Sequence, residues 1–96
     1  MKKFEMPTLD LQGSDKQVKW ATAIIAAVYT TANDNIKRAH DLQWPHADKW
    51  EVAFEKIIIQ LEGFLAKNNQ AAVIISCRER FDPNRVLSFA NKYVNF

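Results

Sequence analysis

Between residues 18 and 39 apolar side chains recur at three- and four-residue steps. Val18, Ala21, Ile25, Val28 and Ala32 form one line, with Ile24, Ile36 and Ala39 beside it. That spacing is one face of an α-helix, and it predicts a helix from about 15 to about 40. Lys16, Lys19, Thr22 and Thr30 fall off the stripe, and Trp20 sits at its edge. Small Ala23, Ala26 and Ala27 leave room for a neighbouring helix. Ahead of the stripe, Ser14 and Gln17 have the spacing of a capping box, in which each side chain satisfies the other's backbone N–H. Gly13 lets the chain turn into the cap, and Asp15 suits the positive end of the helix dipole. Asn33-Asp34-Asn35 favour turns over helix interiors, but the apolar period resumes at Ile36, so one continuous helix is expected.

A second stripe runs through Trp50, Ala53 or Phe54, Ile57, Ile58, Leu61, Phe64 and Leu65. It predicts a helix over about 49–67, capped by Asp48 with Glu51 in a second capping box. Being the most apolar, this helix is expected at the centre, with Gly63 marking a close helix contact. The connector is Leu42-Gln43-Trp44-Pro45-His46-Ala47, where Pro45 stops any preceding helix. In 71–81 the β-branched Val73-Ile74-Ile75 would suit a buried strand. A lone strand has no partner, so a helix is expected there, capped from Asn68-Asn69. Asp82-Pro83 is a helix start, followed by Val86, Leu87, Phe89, Ala90, Tyr93 and Val94 as the last stripe. Residues 1–13 form an extended arm because Pro7 excludes a helix; Phe4, Met6, Leu9 and Leu11 are expected to lie over the helices, the alternative being an exchange arm in a dimer or a strand that pairs with a partner. The expected fold is all-α: an N-terminal arm over 1–13 and a single helical domain over 14–96, built as a compact bundle of two long and two short helices.

One segment resembles a known group. Gly13-Ser14-Asp15-Lys16-Gln17-Val18-Lys19-Trp20-Ala21 looks like the Gly-Ser-Glu-Lys-Gln-Ile-x-Trp-Ala-Glu segment of small, mostly uncharacterised proteins of bacteria, prophages and phages. Ser14, Lys16, Gln17, Trp20 and Ala21 keep the pattern, Asp15 and Val18 are conservative replacements, and Thr22 stands where an acidic residue is usual. Ala71 to Ile75 with Arg78-Glu79-Arg80 is loosely similar to the alanine-rich stretch and acidic-Asn-Arg run of such proteins. The resemblance covers about a tenth of the chain. It implies a mobile-element or phage origin and no particular chemistry.

Composition narrows the functional classes. The 96 residues are enough for one modest core, and two glycines with three prolines argue for long regular elements. The net charge of +2 is too small to imply nucleic-acid binding by itself. A single cysteine, Cys77, permits no internal disulfide and fits a reducing cytoplasm. Met1-Lys2-Lys3 begins like a signal peptide, but Glu5, Pro7 and Asp10 interrupt any apolar core. No apolar run approaches the roughly 18–20 residues of a membrane span. A cytoplasmic protein without membrane partners is expected.

No catalytic set is visible. Cys77 with His40 or His46 has the types of a nucleophile and base, but nothing local arranges them, and Cys77 reads as a small buried residue. His40, Asp41, His46 and Asp48 are metal ligands by type, yet their spacing is irregular and straddles a proline, so no metal and no cofactor is expected. Glu51 and Glu55 read as a solvated face beside Lys49 and Lys56. No enzyme activity is expected.

Two places remain as candidate partner-binding sites. Trp44, His46 and Trp50 gather at the turn between the long helices, where tryptophan serves either as a core plug or as a binding hot spot. Arg78, Arg80 and Arg85 cluster near the last helix. From residue 63 onward five cations face two anions, so this part carries +3 and the rest −1. Pairing with Glu79 and Asp82 is the plain expectation for these arginines; binding of phosphate or an acidic protein surface is the other. The leading functional expectation is a non-enzymatic protein that binds and modulates a host protein or complex, with anti-defence inhibitors such as anti-CRISPR proteins as one form. The alternative is a nucleic-acid-binding module using the basic region 78–92. A homodimer through the arm or the first helix is a third expectation.

Overall fold

The chain turns into its first helix at Gly13, whose φ of +149° suits glycine. In the computed structural model, which describes residues 3–95, Ser14 then caps α1 (Asp15–Asp41). The Ser14 hydroxyl accepts from Gln17 N at 3.2 Å, and Gln17 Oε1 accepts from Ser14 N at 3.1 Å. Both halves of the expected capping box are present. The elements that follow are α2 (Ala47–Lys67), α3 (Ala71–Ser76), a 3-10 turn (Arg78–Phe81) and α4 (Pro83–Val94). The fold is an all-α bundle, with no strand among the described residues. Met1, Lys2 and Phe96 lie outside the described residues, and so does the part of the leader and domain readings that falls on them.

α1 is uninterrupted through Asn33-Asp34-Asn35. At about 1.5 Å per residue it spans roughly 40 Å, close to the molecule's longest dimension of 44 Å. It touches α2, α3, the 3-10 turn and α4, whereas α2 touches α1 and α4. Eight residues of α1 are buried against four of α2. The centre of the bundle is therefore α1, not the more apolar α2. The reason is that part of the apolar character of α2 faces outward, at exposed Val52 and Ile59. Gly63 likewise faces open space and marks no helix contact.

The core joins Ala21, Ile25, Val28 and Ile36 of α1 to Phe54, Ile58 and Leu61 of α2, Ile74 of α3, and Val86, Ala90 and Val94 of α4. Burying each large aliphatic or aromatic side chain contributes about 1.5–3 kcal/mol. Two polar residues of α1 join them. Thr31 satisfies its hydroxyl on Ala27 O at 2.8 Å. Tyr29 is 3% exposed, and among the described residues its hydroxyl has no hydrogen-bond partner of good geometry. Burial pushes that hydroxyl above the ordinary tyrosine range, and the nearby Glu62 carboxylate pushes the same way.

Residues 71–81 are helical, but not as one helix. α3 stops at Ser76, and a 3-10 turn follows. No side chain caps α3; its first position follows Gln70, and the expected cap from Asn68-Asn69 is not made. Asn68 instead donates back to Phe64 O at 3.0 Å. α4 opens as expected, with Asp82 Oδ1 accepting from Asn84 N at 2.9 Å and Pro83 in the first turn.

The arm lies over the helices. Phe4, Met6, Leu9 and Leu11 are half-buried against the core. Asn33, in the middle of α1, pairs with the backbone of Phe4 on both sides, at 2.8 Å each. At its other end the arm joins the α2–α3 loop: Gln12 N donates to Asn69 O at 2.8 Å, and Ala71 N donates to Gln12 O at 2.9 Å.

Candidate functional site

A half-open cleft lies between α2, the 3-10 turn and α4, with a volume near 670 Å³. Val28 and Leu61 form part of its floor, and Phe64, Phe81, Phe89 and Tyr93 its aromatic walls. Phe64 and Phe81 meet edge to face, 5.6 Å between ring centres, a favoured arrangement for aromatic pairs. Phe89 is 46% and Tyr93 37% exposed. Both belong to the predicted core stripe of α4, and their exposure corrects that expectation. Val86, Ala90 and Val94 take the inward positions instead, because α4 has room for only one buried face. Cys77 lines the cleft half-buried, not fully buried as expected.

Four cations stand around this cleft. Lys56 Nζ lies 5.2 Å from the centre of the Tyr93 ring, and Lys92 Nζ 5.6 Å from that of Phe89; each is a cation–π contact at an exposed site. Gln60 Nε2 donates to the Tyr93 hydroxyl at 3.3 Å. Arg80 and Arg85 line the cleft itself, with Glu79 the one acidic residue of the lining. The expected pairing of the arginines with Glu79 and Asp82 is not made among the described residues: Asp82 caps α4, and no ion pair involves Arg80 or Arg85. Arg78 is separate. Its Nη1 donates to Ile75 O at 3.0 Å, and its guanidinium lies 5.6 Å from the Trp20 ring centre. The fold therefore splits the predicted arginine cluster, with Arg80 and Arg85 at the cleft and Arg78 on the far side of the 3-10 turn.

The Trp44 turn forms a second place. α1 ends in a Schellman motif, in which Trp44 N donates to Ala39 O at 2.8 Å and Gln43 N to His40 O at 3.2 Å. Gln43, at φ 52°, occupies the left-handed position that usually takes glycine. His46 is also left-handed, at φ 63°, and precedes α2 without a side-chain cap. The predicted capping box of Asp48 and Glu51 is thus absent, since the helix starts one residue before Asp48. Trp44 and Trp50 are half-buried, 5.8 Å apart and tilted, and Trp50 stacks on buried Phe54 at 6.0 Å. They close the end of the core, while His46 stays exposed.

Glu51 Oε1 accepts from His40 Nε2 at 2.8 Å, which ties α1 to α2. Asp48 brings its carboxylate to the same place: one ligand-type atom from each of the three residues lies within 4.8 Å of the others. Asp41 is instead 3.9 Å from Lys37 on the surface. His40 and His46 sit where α1 and α2 join, and Cys77 lies beside Trp20's neighbour Arg78, so these groups of the nucleophile–base reading are not brought together. Trp20 and His40 stand 20 residues apart along α1, roughly 30 Å, and Trp44 folds back beside His40's end of the helix. The two predicted partner-binding places are therefore at opposite ends of the molecule.

Sequence reasoning missed the cleft because its walls come from residues assigned to the core. The signal was present: on α4 the stripe of six apolar positions is too broad to bury. No helix among the described residues is long and apolar enough to cross a membrane. No protein-family model matches the chain, and neither a curated protein nor a solved structure matches it.

Proposed function

We propose that this chain is a non-enzymatic protein-binding module that receives an apolar, acid-flanked segment of a partner protein in the cleft between α2 and α4. One observation carries the reading: Arg80 and Arg85, without ion-pair partners among the described residues, stand beside exposed Phe89 and Tyr93. Aromatic residues and arginine are enriched where proteins bind one another, and a guanidinium grips a carboxylate through paired hydrogen bonds. Lys56 and Lys92 extend the positive rim. The resemblance of residues 13–21 to phage-associated proteins makes a host protein or complex the natural partner, with modulation or inhibition of a defence system as its consequence, as in anti-CRISPR proteins.

The test is affinity capture from bacterial lysate with the wild-type chain and with an Arg80→Glu/Arg85→Glu variant. A stoichiometric partner held by the wild type and lost with the variant supports the reading. Equal capture by both removes the cleft from it. The same free arginines serve the nucleic-acid reading, but an aromatic and aliphatic cleft is a poor fit to a duplex backbone. Gel-shift titration at two salt concentrations separates the two, because phosphate contacts weaken steeply with salt.

A further inference from the structure

At the end of the molecule away from Arg78, two helices bring three metal-ligating side chains to one point. His40 comes from the last turn of α1, and Asp48 and Glu51 from the first turns of α2. Their ligand atoms lie within 4.8 Å of one another. The local explanation for the two carboxylates is the capping box, and the fold does not use it. α2 begins after left-handed His46 with no side-chain cap. Asp48 has no hydrogen-bond or ion-pair partner among the described residues. It nevertheless stands beside a second carboxylate, that of Glu51, whose Oε1 accepts from the His40 ring.

We propose that His40, Asp48 and Glu51 form a site for one divalent transition-metal ion of the zinc class, clamping the end of α1 to the start of α2. One imidazole and two carboxylates are a ligand set that zinc accepts, and the imidazole disfavours magnesium and calcium. Metal–ligand bonds of about 2.0–2.2 Å place ligand atoms roughly 3.0–3.5 Å apart around the ion. The His40–Glu51 separation of 2.8 Å is near that span, and exposed Asp48 has a ligand atom within 4.8 Å of both. The ion takes the place of the hydrogen between His40 Nε2 and Glu51, and the neutral ring then carries its hydrogen on Nδ1. The Schellman turn and the Trp44–Trp50 contact hold the two helix ends in register without it. Water or a carboxylate of another molecule completes the coordination. The site is independent of the cleft proposed above.

The test is calorimetric titration of metal-stripped full-length protein with zinc chloride, with magnesium chloride in parallel. Saturable one-to-one zinc binding is expected, at least tenfold weaker in each of His40→Gln, Asp48→Asn and Glu51→Gln and unchanged in Cys77→Ser. Because a variant can lose its fold, the histidine ring nitrogens of the wild type are also followed by NMR, and His40 Nε2 is expected to shift on zinc addition. The proposal is overturned by no saturable binding up to millimolar zinc, by equal binding of magnesium, by loss of binding in Cys77→Ser, or by a shift confined to His46.

Discussion

Asn33 holds the backbone of Phe4 as a neighbouring strand would: its Nδ2 donates to Phe4 O and its Oδ1 accepts from Phe4 N, both at 2.8 Å. A mid-helix asparagine, poor by propensity, is here the dock for the arm. Replacing it by alanine removes both bonds, each worth about 0.5–1.5 kcal/mol. In Asn33→Ala the Phe4 amide should exchange with solvent at least tenfold faster while the amides of α1 keep their protection. Unchanged exchange at Phe4 would show that the arm is seated without Asn33, by its other contacts and the Gln12 hydrogen bonds.

Gly13 is held by both conformation and space. A Cβ there would stand 3.0 Å from Gln17 Oε1 and 3.3 Å from Ala71 Cβ, on a backbone of φ +149°. Gly13→Ala should therefore strain the turn, disturb the capping box and push on α3. A loss of about 1–3 kcal/mol is expected, read as a lower urea midpoint at constant slope. A midpoint equal to wild type would mean that the turn relaxes freely.

Gln43 offers the opposite case. It adopts φ 52° at the end of α1 and is exposed, so its side chain contributes little and its Cβ costs conformational energy. Gln43→Gly should raise stability by up to ~1 kcal/mol, seen as a higher Tm. A lower Tm would point to a role for the Gln43 side chain that its exposure does not reveal.

Tyr29 carries a pH signature. Its folded-state ionisation is raised, first by burial and then by Glu62, so the folded chain keeps this proton longer than the unfolded chain does. The resulting stability is complete below the ordinary tyrosine value of 10.0 and is lost as pH rises through the higher folded value. In Tyr29→Phe this part of the alkaline loss should vanish. At neutral pH the variant should be nearly as stable as wild type, since among the described residues the buried hydroxyl has no hydrogen bond of good geometry and only the Glu62 carboxylate acts on it. Chemical denaturation at pH 7 and above pH 10 checks both; parallel decline of the two chains would exclude Tyr29 as a contributor.

Much of the fold was legible because it rests on local rules. The first helix was expected over 15–40 and spans Asp15–Asp41; the second was expected over 49–67 and spans Ala47–Lys67. The Ser14–Gln17 and Asp82-Pro83 starts depend on side chains a few residues away, and both formed. What was not legible depends on competition between elements. Apolar content pointed to α2 as the centre, but which helix is surrounded is decided by how many faces its neighbours cover. The Asp48–Glu51 box failed because a Schellman turn and a left-handed His46 moved the helix start. Of the candidate residues, Arg80 and Arg85 do reach a cleft, but its walls, Phe89 and Tyr93, had been counted as core. The meeting of His40 with Asp48 and Glu51 spans two helices and has no one-dimensional signature.

The hydrogen bonds joining Gln12 to Asn69 and Ala71 close a loop of nearly sixty residues. Gln12 and Asn69 are loop backbone and Ala71 opens α3, so the closure depends on how α1, α2 and α3 stand together. The arm is thus seated by a contact between parts distant in sequence, which local helix formation does not supply.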